Sequence, residues 1–257
     1  MPIQQTQKDH LTIIHLNRPE VYNSFTREMS LALIDALEKL GNDSSVRAIM
    51  LTGSGKAFCA GQDLQEATED NGITVERAVE EHYNPIVKGI RKCPKPIIAA
   101  VNGVAAGAGA NIALACDVCV ATESASFIQA FSKIGLVPDS GGTFTLPRLI
   151  GFGKASALMM LGDKVSATDA EKMGMIYEVY SDDEFAEKSE ALAMKLANMP
   201  TKGLAFTKEL LNRSFTNSLD EQLEQEKLWQ AKAAATKDSA EGINAFLEKR
   251  RPNFTGE

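Results

Sequence analysis

Histidine and cysteine are scarce in this chain, with three and four residues among 257. His15 lies in the apolar run LTIIHL, while His10 and His82 stand in polar surroundings with no cluster of cysteines or carboxylates beside them, so no metal site is expected. Cys59, Cys93, Cys116 and Cys119 are too few, and too deeply set in apolar sequence, for a disulfide scaffold. The pair Cys116-x-x-Cys119 lacks the second ligand pair that a structural zinc requires, and all four cysteines are expected as buried thiols. No stretch approaches the roughly 18 consecutive apolar residues of a membrane helix. The opening MPIQQTQKDH has neither the basic nor the apolar region of a signal peptide, and a cytoplasmic location without a membrane partner is the expectation. There is also no run of five or six like charges. With a net charge of −7, binding to nucleic acid through its phosphates is disfavoured.

What is present is a sequence able to bury a core, with 44% hydrophobic residues. Leu11 to Leu16 and Val46 to Thr52 have the composition of strands, closed by Asn17-Arg18-Pro19 and Gly53-Ser54-Gly55. Between them Thr26 can cap a helix whose apolar residues Met29, Leu33, Leu37 and Leu40 recur every three or four positions. Pro96 to Val101 is a short apolar run of the kind buried on both faces, followed by a Gly/Ala helix over Ala106 to Ala115 and a strand over Val118 to Ala121. This alternation predicts an α/β fold with mostly parallel pairing. Helices are predicted over 141–150 and 155–161, and Ser166 to Asp169 resembles a capping box opening a helix over Ala170 to Met175. Strand signals cease near Asp182. Four amphipathic stretches follow, over 185–198, 202–214, 219–234 and 240–250. The division expected is an α/β body over 1–190 and a helical region over 191–257.

Two small-residue segments and one acid stand out chemically. Lys56 to Leu64 (KAFCAGQDL) leaves a strand and turns through Ala60-Gly61-Gln62, where small side chains let backbone N–H groups face a ligand. Gly53-Ser-Gly-Lys56 does not fit the frame of a nucleotide-phosphate loop. In Asn102 to Asn111 (NGVAAGAGAN), small residues can bring a helix N-terminus and its free N–H groups to a ligand, although such a run serves equally for tight helix–sheet packing. Two such donors meeting at one carbonyl oxygen would form an oxyanion hole. Asp139, in GLVPDSGGT, can move a proton nearby or simply cap the next helix.

The ordered motifs LNRPEVYNSF, KAFCAGQDL, AAVNGVAAGAGAN, CDVCVA, GLVPDSGGTFTLPRLIG and AFLEKRRPNF resemble the crotonase, or enoyl-CoA hydratase/isomerase, superfamily across essentially the whole chain. The resemblance implies a spiral of repeated β-β-α units in two sheets, an acyl-CoA substrate, and a helical C-terminal region that joins subunits into a homotrimer or a dimer of trimers. It puts the oxyanion donors on the backbone N–H groups of Gln62 and Ala108, where the second position is more usually glycine. It also implies an acyl-CoA channel lined by Lys56, Ala60, Gln62, Asp63, Leu64, Ala108 and Gly109, with Phe246 and Lys249 able to approach the adenine end. Taken alone, Phe246 would serve as helix packing and Lys249 as a solvated charge.

The two glutamates that family hydratases use correspond here to Asn111 and Phe131. Adding water calls for two positioned acid/base groups, whereas shifting a double bond can be done by one carboxylate, and Asp139 is the candidate. Asn111, Phe131 and Ile128 would make a drier pocket suited to a ring. Within the family, FIQAFSKIGLVPDSGGTFTLPRLIG and the ending RRPNFTGE most resemble isomerases of phenylacetate degradation, which convert ring-1,2-epoxyphenylacetyl-CoA to oxepin-CoA and are associated with moving a 3,4 double bond to the 2,3 position. No metal or cofactor is implied beyond the coenzyme A of the substrate. The other readings are a hydratase or another crotonase reaction, including one with Asp139 as nucleophile, and a non-catalytic acyl-CoA-binding or RNA-binding scaffold.

Overall fold

The computed structural model describes residues 1–68 and 73–257. The chain runs β1 (Ile3–Lys8), β2 (Leu11–Leu16), α1 (Arg27–Asn42), β3 (Ala48–Gly53), β4 (Ala57–Cys59), α2 (Leu64–Thr68) and α3 (Val75–Ala78). A wide π-type turn over Val79–Tyr83 leads into α4 (Asn84–Lys92). Then come β5 (Ile97–Val101), β6 (Val104–Ala106), α5 (Ala108–Ala115), β7 (Val118–Thr122) and β8 (Ser126–Ile128). The body closes with α6 (Gly142–Ile150), α7 (Phe152–Leu161), β9 (Lys164–Ser166), α8 (Ala167–Lys172) and β10 (Glu178–Tyr180). Four helices follow: α9 (Phe185–Ala197), α10 (Thr201–Ser214), α11 (Leu219–Ala234) and α12 (Lys237–Leu247).

The strands form two sheets, ordered β1-β2-β3-β5-β7-β10 and β4-β6-β8-β9. Pairing is parallel except at one edge of each, where β1 meets β2 and β9 meets β8 in antiparallel register. The mixed α/β class and the two-sheet arrangement expected from the family resemblance are therefore present. Period-two alternation explains the larger sheet: Ile49, Leu51, Ile97, Ala99 and Val101 face α1, α4 and α5 in the main core, while Ile13, Met50, Ile98 and Ala100 face α9. The Thr26 hydroxyl caps α1 by accepting from Met29 N–H at 3.3 Å, as its sequence suggested.

The structure differs from the sequence reading at several elements; α7 begins at Phe152 rather than 155, and the last helix runs Lys237–Leu247 rather than 240–250. β1 is nearly all polar, with only Ile3 buried, so it carries no apolar signal and is held as an edge strand by its ladder to β2. α5 begins at Ala108 rather than Ala106, because Val104 to Ala106 pair with β8 as a three-residue strand. α8 begins at Ala167, directly after its cap Ser166, and not at Ala170. His82 is fully buried rather than polar in its surroundings, for it lies in the unforeseen helical segment between Val75 and Lys92. All four cysteines are buried free thiols; burial pushes those of Cys59 and Cys116 up to about 12.

Arg47 helps to bind the C-terminal helices to the body, and Asp238 binds α12 to the chain end. Arg47, at the start of β3, donates to the Met199 and Phe254 carbonyls at 2.7 and 2.8 Å and to the Thr201 hydroxyl at 3.0 Å. Asp238 accepts the Thr255 and Gly256 N–H groups at 2.7 and 2.8 Å. The site side of the body depends instead on close backbone approach. A Cβ added to Gly109 would lie 2.4 Å from the Cys59 carbonyl oxygen and 2.7 Å from the Cys59 Cβ, so α5 sits against β4 with room for a hydrogen only. Gly109→Ala is therefore expected to lower the free energy of unfolding by roughly 1–3 kcal/mol through overpacking. A reduced urea midpoint at unchanged slope is the measurement that checks it.

Candidate active site

The loop after β4 and the N-terminus of α5 meet because two glycines take positive φ. Gly61 has φ +97° and Gly107 has φ +53°. A Cβ on Gly61 would lie 3.1 Å from the Ala106 carbonyl oxygen and 3.6 Å from the Ala108 nitrogen, which shows how near the two segments pass. Phe25 N–H donates to the Gly61 carbonyl at 2.7 Å, and Asp63 N–H donates to the Phe25 carbonyl at 2.9 Å. Successive amides of an extended chain point to opposite sides, so the intervening Gln62 N–H points away from Phe25. Ala108 is the first residue of its helix and has no carbonyl one turn back to receive its N–H. Neither N–H has a hydrogen-bond acceptor among the described residues.

Both residues line a cavity of ≈ 260 Å³. Its wall is mostly apolar, with Leu64, Ile73, Val79, Phe131, Ile134 and Leu136; its polar side chains are Gln62, Tyr83, Lys133 and Asp139. Asp139 is the one carboxylate among the described lining residues. Burial raises its pKa above the ordinary carboxylate value, opposed by the Ser140 hydroxyl, which donates to Oδ1 at 2.9 Å. Its side chain does not cap the following helix, since Gly141 occupies the N-cap position of α6 without any side-chain bond. Asp139 is thus free of the structural duty its sequence context allowed.

The other residues singled out from sequence divide by location. Ala60, Gln62, Leu64, Ala108, Phe131 and Asp139 come together on the cavity wall. The Phe131 ring lies against Gly107, within 3.8 Å of where a Cβ would be. Asp63 points into a structural pair, with Arg18 at 2.8 Å and the Gln65 N–H at 3.0 Å. Gly109 is buried against Cys59. Asn111 and Ile128 lie off the cavity surface, Asn111 fully enclosed. Lys56, Phe246 and Lys249 are exposed and do not border the cavity, Phe246 at 83%.

Tyr83 belongs to the site although no sequence motif contains it. It is 3% exposed, lines the cavity, donates its hydroxyl to Gln62 Oε1 and meets Phe25 edge-on at 6.1 Å. Burial, with added repulsion from Cys59 and Asp139, raises its phenol pKa and keeps it protonated. The signal was available in Val75, Ala78, Val79, Tyr83 and Ile86, whose three-to-four-residue spacing marks one face of a helix.

Two unpaired N–H donors and one buried carboxylate in an apolar cavity can stabilise negative charge on a carbonyl oxygen while a proton moves at a neighbouring carbon. That is chemistry suited to an acyl thioester. The Enoyl-CoA hydratase/isomerase family pattern matches residues 6–257, and the chain belongs to this family. It is 45% identical over 257 residues to the 1,2-epoxyphenylacetyl-CoA isomerase of Escherichia coli, covering 99% of this chain and 98% of the relative. It is 44% identical over 246 residues to a probable enoyl-CoA hydratase of Rhodobacter capsulatus, covering 96% and 95%. A solved structure of a putative enoyl-CoA hydratase/isomerase from Mycobacterium abscessus superposes with a TM-score of 0.94 at 36% identity, covering 99% of this chain and all of that one (100%). The protein is a crotonase-type enzyme that acts on acyl-CoA thioesters. Among the described residues, no helix is long and apolar enough to cross a membrane.

With Asp139 as the base, activity requires its carboxylate form. Because burial raises its pKa, the acid limb of kcat/KM is expected at higher pH than for an ordinary aspartate. Ser140→Gly suits the positive φ of that position (+51°) and removes a bond that favours the charged form, so it should move the limb further upward. A pH–rate profile of the two proteins measures this; a limb unmoved by the substitution contradicts the assignment.

Proposed function

We propose that this enzyme is an acyl-CoA isomerase that converts ring-1,2-epoxyphenylacetyl-CoA to oxepin-CoA in phenylacetate catabolism, and that also moves a 3-enoyl double bond to the 2-enoyl position. The observation that carries this reading is the single carboxylate, Asp139, among the described residues of a mostly apolar cavity. The thioester oxygen accepts the Gln62 and Ala108 N–H groups, which stabilise the enolate. Asp139 removes a proton from the carbon beside the thioester. In the enoyl substrate it returns the proton two carbons further on, leaving the double bond conjugated. In the ring epoxide, the carbon–carbon bond shared by the two rings opens to the seven-membered ring, and the proton returns to a ring carbon. No electrons are gained or lost, so the step calls on no redox cofactor; coenzyme A enters as part of the substrate.

The 45% identical isomerase supports this reading, and the 44% identical probable hydratase supports the alternative of water addition. Hydration needs a second acid/base group, and Phe131 on the cavity wall and the enclosed Asn111 offer none. Asp139→Asn is expected to leave the fold and CoA binding intact while lowering isomerisation at least about 10²-fold. Product analysis with ring-epoxide, 3-enoyl and 2-enoyl CoA thioesters is the test. Substantial 3-hydroxyacyl-CoA formation from crotonyl-CoA, or a folded Asp139→Asn variant with most of its isomerase activity, refutes the proposal.

The same reading takes the protein as a cytoplasmic homotrimer or dimer of trimers, with the 191–257 region joining subunits and Phe246 and Lys249 reaching the adenine end of a bound thioester. Its support is the exposed apolar surface of these helices, where Leu211, Leu223, Ile243, Phe246 and Leu247 are each more than half exposed in the single chain. Light scattering at micromolar concentration should give three or six times the mass of the chain. A monomer would exclude this assembly.

A further inference from the structure

The Asn111 side chain sits behind the cavity wall, at 1% exposure, in the middle of α5. Its Nδ2 donates to the Asp139 carbonyl oxygen at 2.9 Å, while its Oδ1 accepts from Gln129 Nε2 at 2.8 Å. The first bond fixes which way the amide faces, for the Asp139 main-chain carbonyl can only accept and so selects the Asn111 Nδ2, leaving Oδ1 for the Gln129 amide. The Asp139 carbonyl also accepts Gly142 N–H at 2.9 Å, closing the turn that leads into α6. A Cβ on Gly142 would lie 2.3 Å from Asn111 Nδ2, so this turn lies directly on the amide. The turn is unfavourable at Ser140, which has φ +51°, while Gly141 accommodates φ +71°.

We infer that Asn111 is a positioning residue for Asp139: its amide, held on its other side by Gln129, anchors the 139–142 turn and so fixes where the Asp139 carboxyl enters the cavity. Asn111 has no surface on the cavity and no direct part in proton transfer. Its influence passes through one main-chain carbonyl. A small displacement of a reacting group is costly to turnover, while the cavity that binds the thioester is unaffected. The kinetic arm of the test rests on the acyl-CoA isomerase reading given above; the structural arm does not.

Asn111→Asp retains the shape and the acceptor for Gln129 but replaces the donor toward the Asp139 carbonyl with a second acceptor. The expected result is a fall in kcat of at least about 10-fold with KM within about twofold of the parent. Amide hydrogen exchange in the 139–145 segment should be faster, while α5 itself stays protected. Gln129→Met, which leaves Asn111 in place but removes the bond that holds its Oδ1, should change both quantities in the same direction and by less. If Asn111→Asp does not fold, Gln129→Met carries both readouts. A folded Asn111→Asp protein with kcat within about twofold of the parent and unchanged exchange over 139–145 overturns the inference. If the parent enzyme turns over no ring-epoxide or 3-enoyl thioester, the proposed function fails alone, and the exchange measurement still decides the role of Asn111.

Discussion

The contact between α5 and β4 is the constraint on which the site depends. At Gly109 the helix rests on the Cys59 backbone with no space for a methyl group. That closeness sets the first turn of α5 beside the Gly61 loop, so that two main-chain donors from distant parts of the sequence open onto one cavity. Main-chain donors are rigid, and their direction is set by the ladder and helix they belong to. They therefore need no reorganisation as charge develops on a bound oxygen, which is the condition under which such donors act most strongly. The Ala108 methyl is compatible with this arrangement because the donor belongs to its backbone.

The acid is held by a different balance. Removing Asp139 from water disfavours its charge, and the Ser140 hydroxyl restores part of that loss. Ser140 adopts a left-handed conformation unusual for a side chain of its kind. Strain in a turn next to a reactive carboxyl persists only where surrounding bonds over-determine it. Here Gly142 N–H and the Asn111 amide both hold the Asp139 carbonyl. The site thus joins a relaxed element, the Gly61 loop, to a strained one, the 139–142 turn.

The sequence displayed the parts whose signal is local. The strands β2, β3, β5 and β7 are apolar runs bounded by turn residues, and α1 and the four last helices have regular periodicity, though α12 lies three residues earlier than its pattern suggested. Cavity residues that belong to small-residue motifs, such as Gln62 and Ala108, were legible for the same reason. What was hidden was tertiary. The polar β1 owes its existence to its neighbour, and strands of three residues are too short to show alternation. The burial of His82 comes from the packing of its segment, and the partners of Asn111 lie 18 and 28 residues away. A polar residue in a Gly/Ala run gives no sign of whether it faces a cavity or supports the wall from behind.

The Arg47 guanidinium holds the chain at two points separated by the whole of α10, α11 and α12. Met199 stands just before these helices and Phe254 just after them, so the three helices leave and rejoin the body at one side chain. In topological terms they form a handle rather than a tail. A load applied to that handle, by a neighbouring subunit for instance, enters the body at Arg47, just before β3, and along α10, where Lys208 pairs with Asp117 and Asn212 with Arg91.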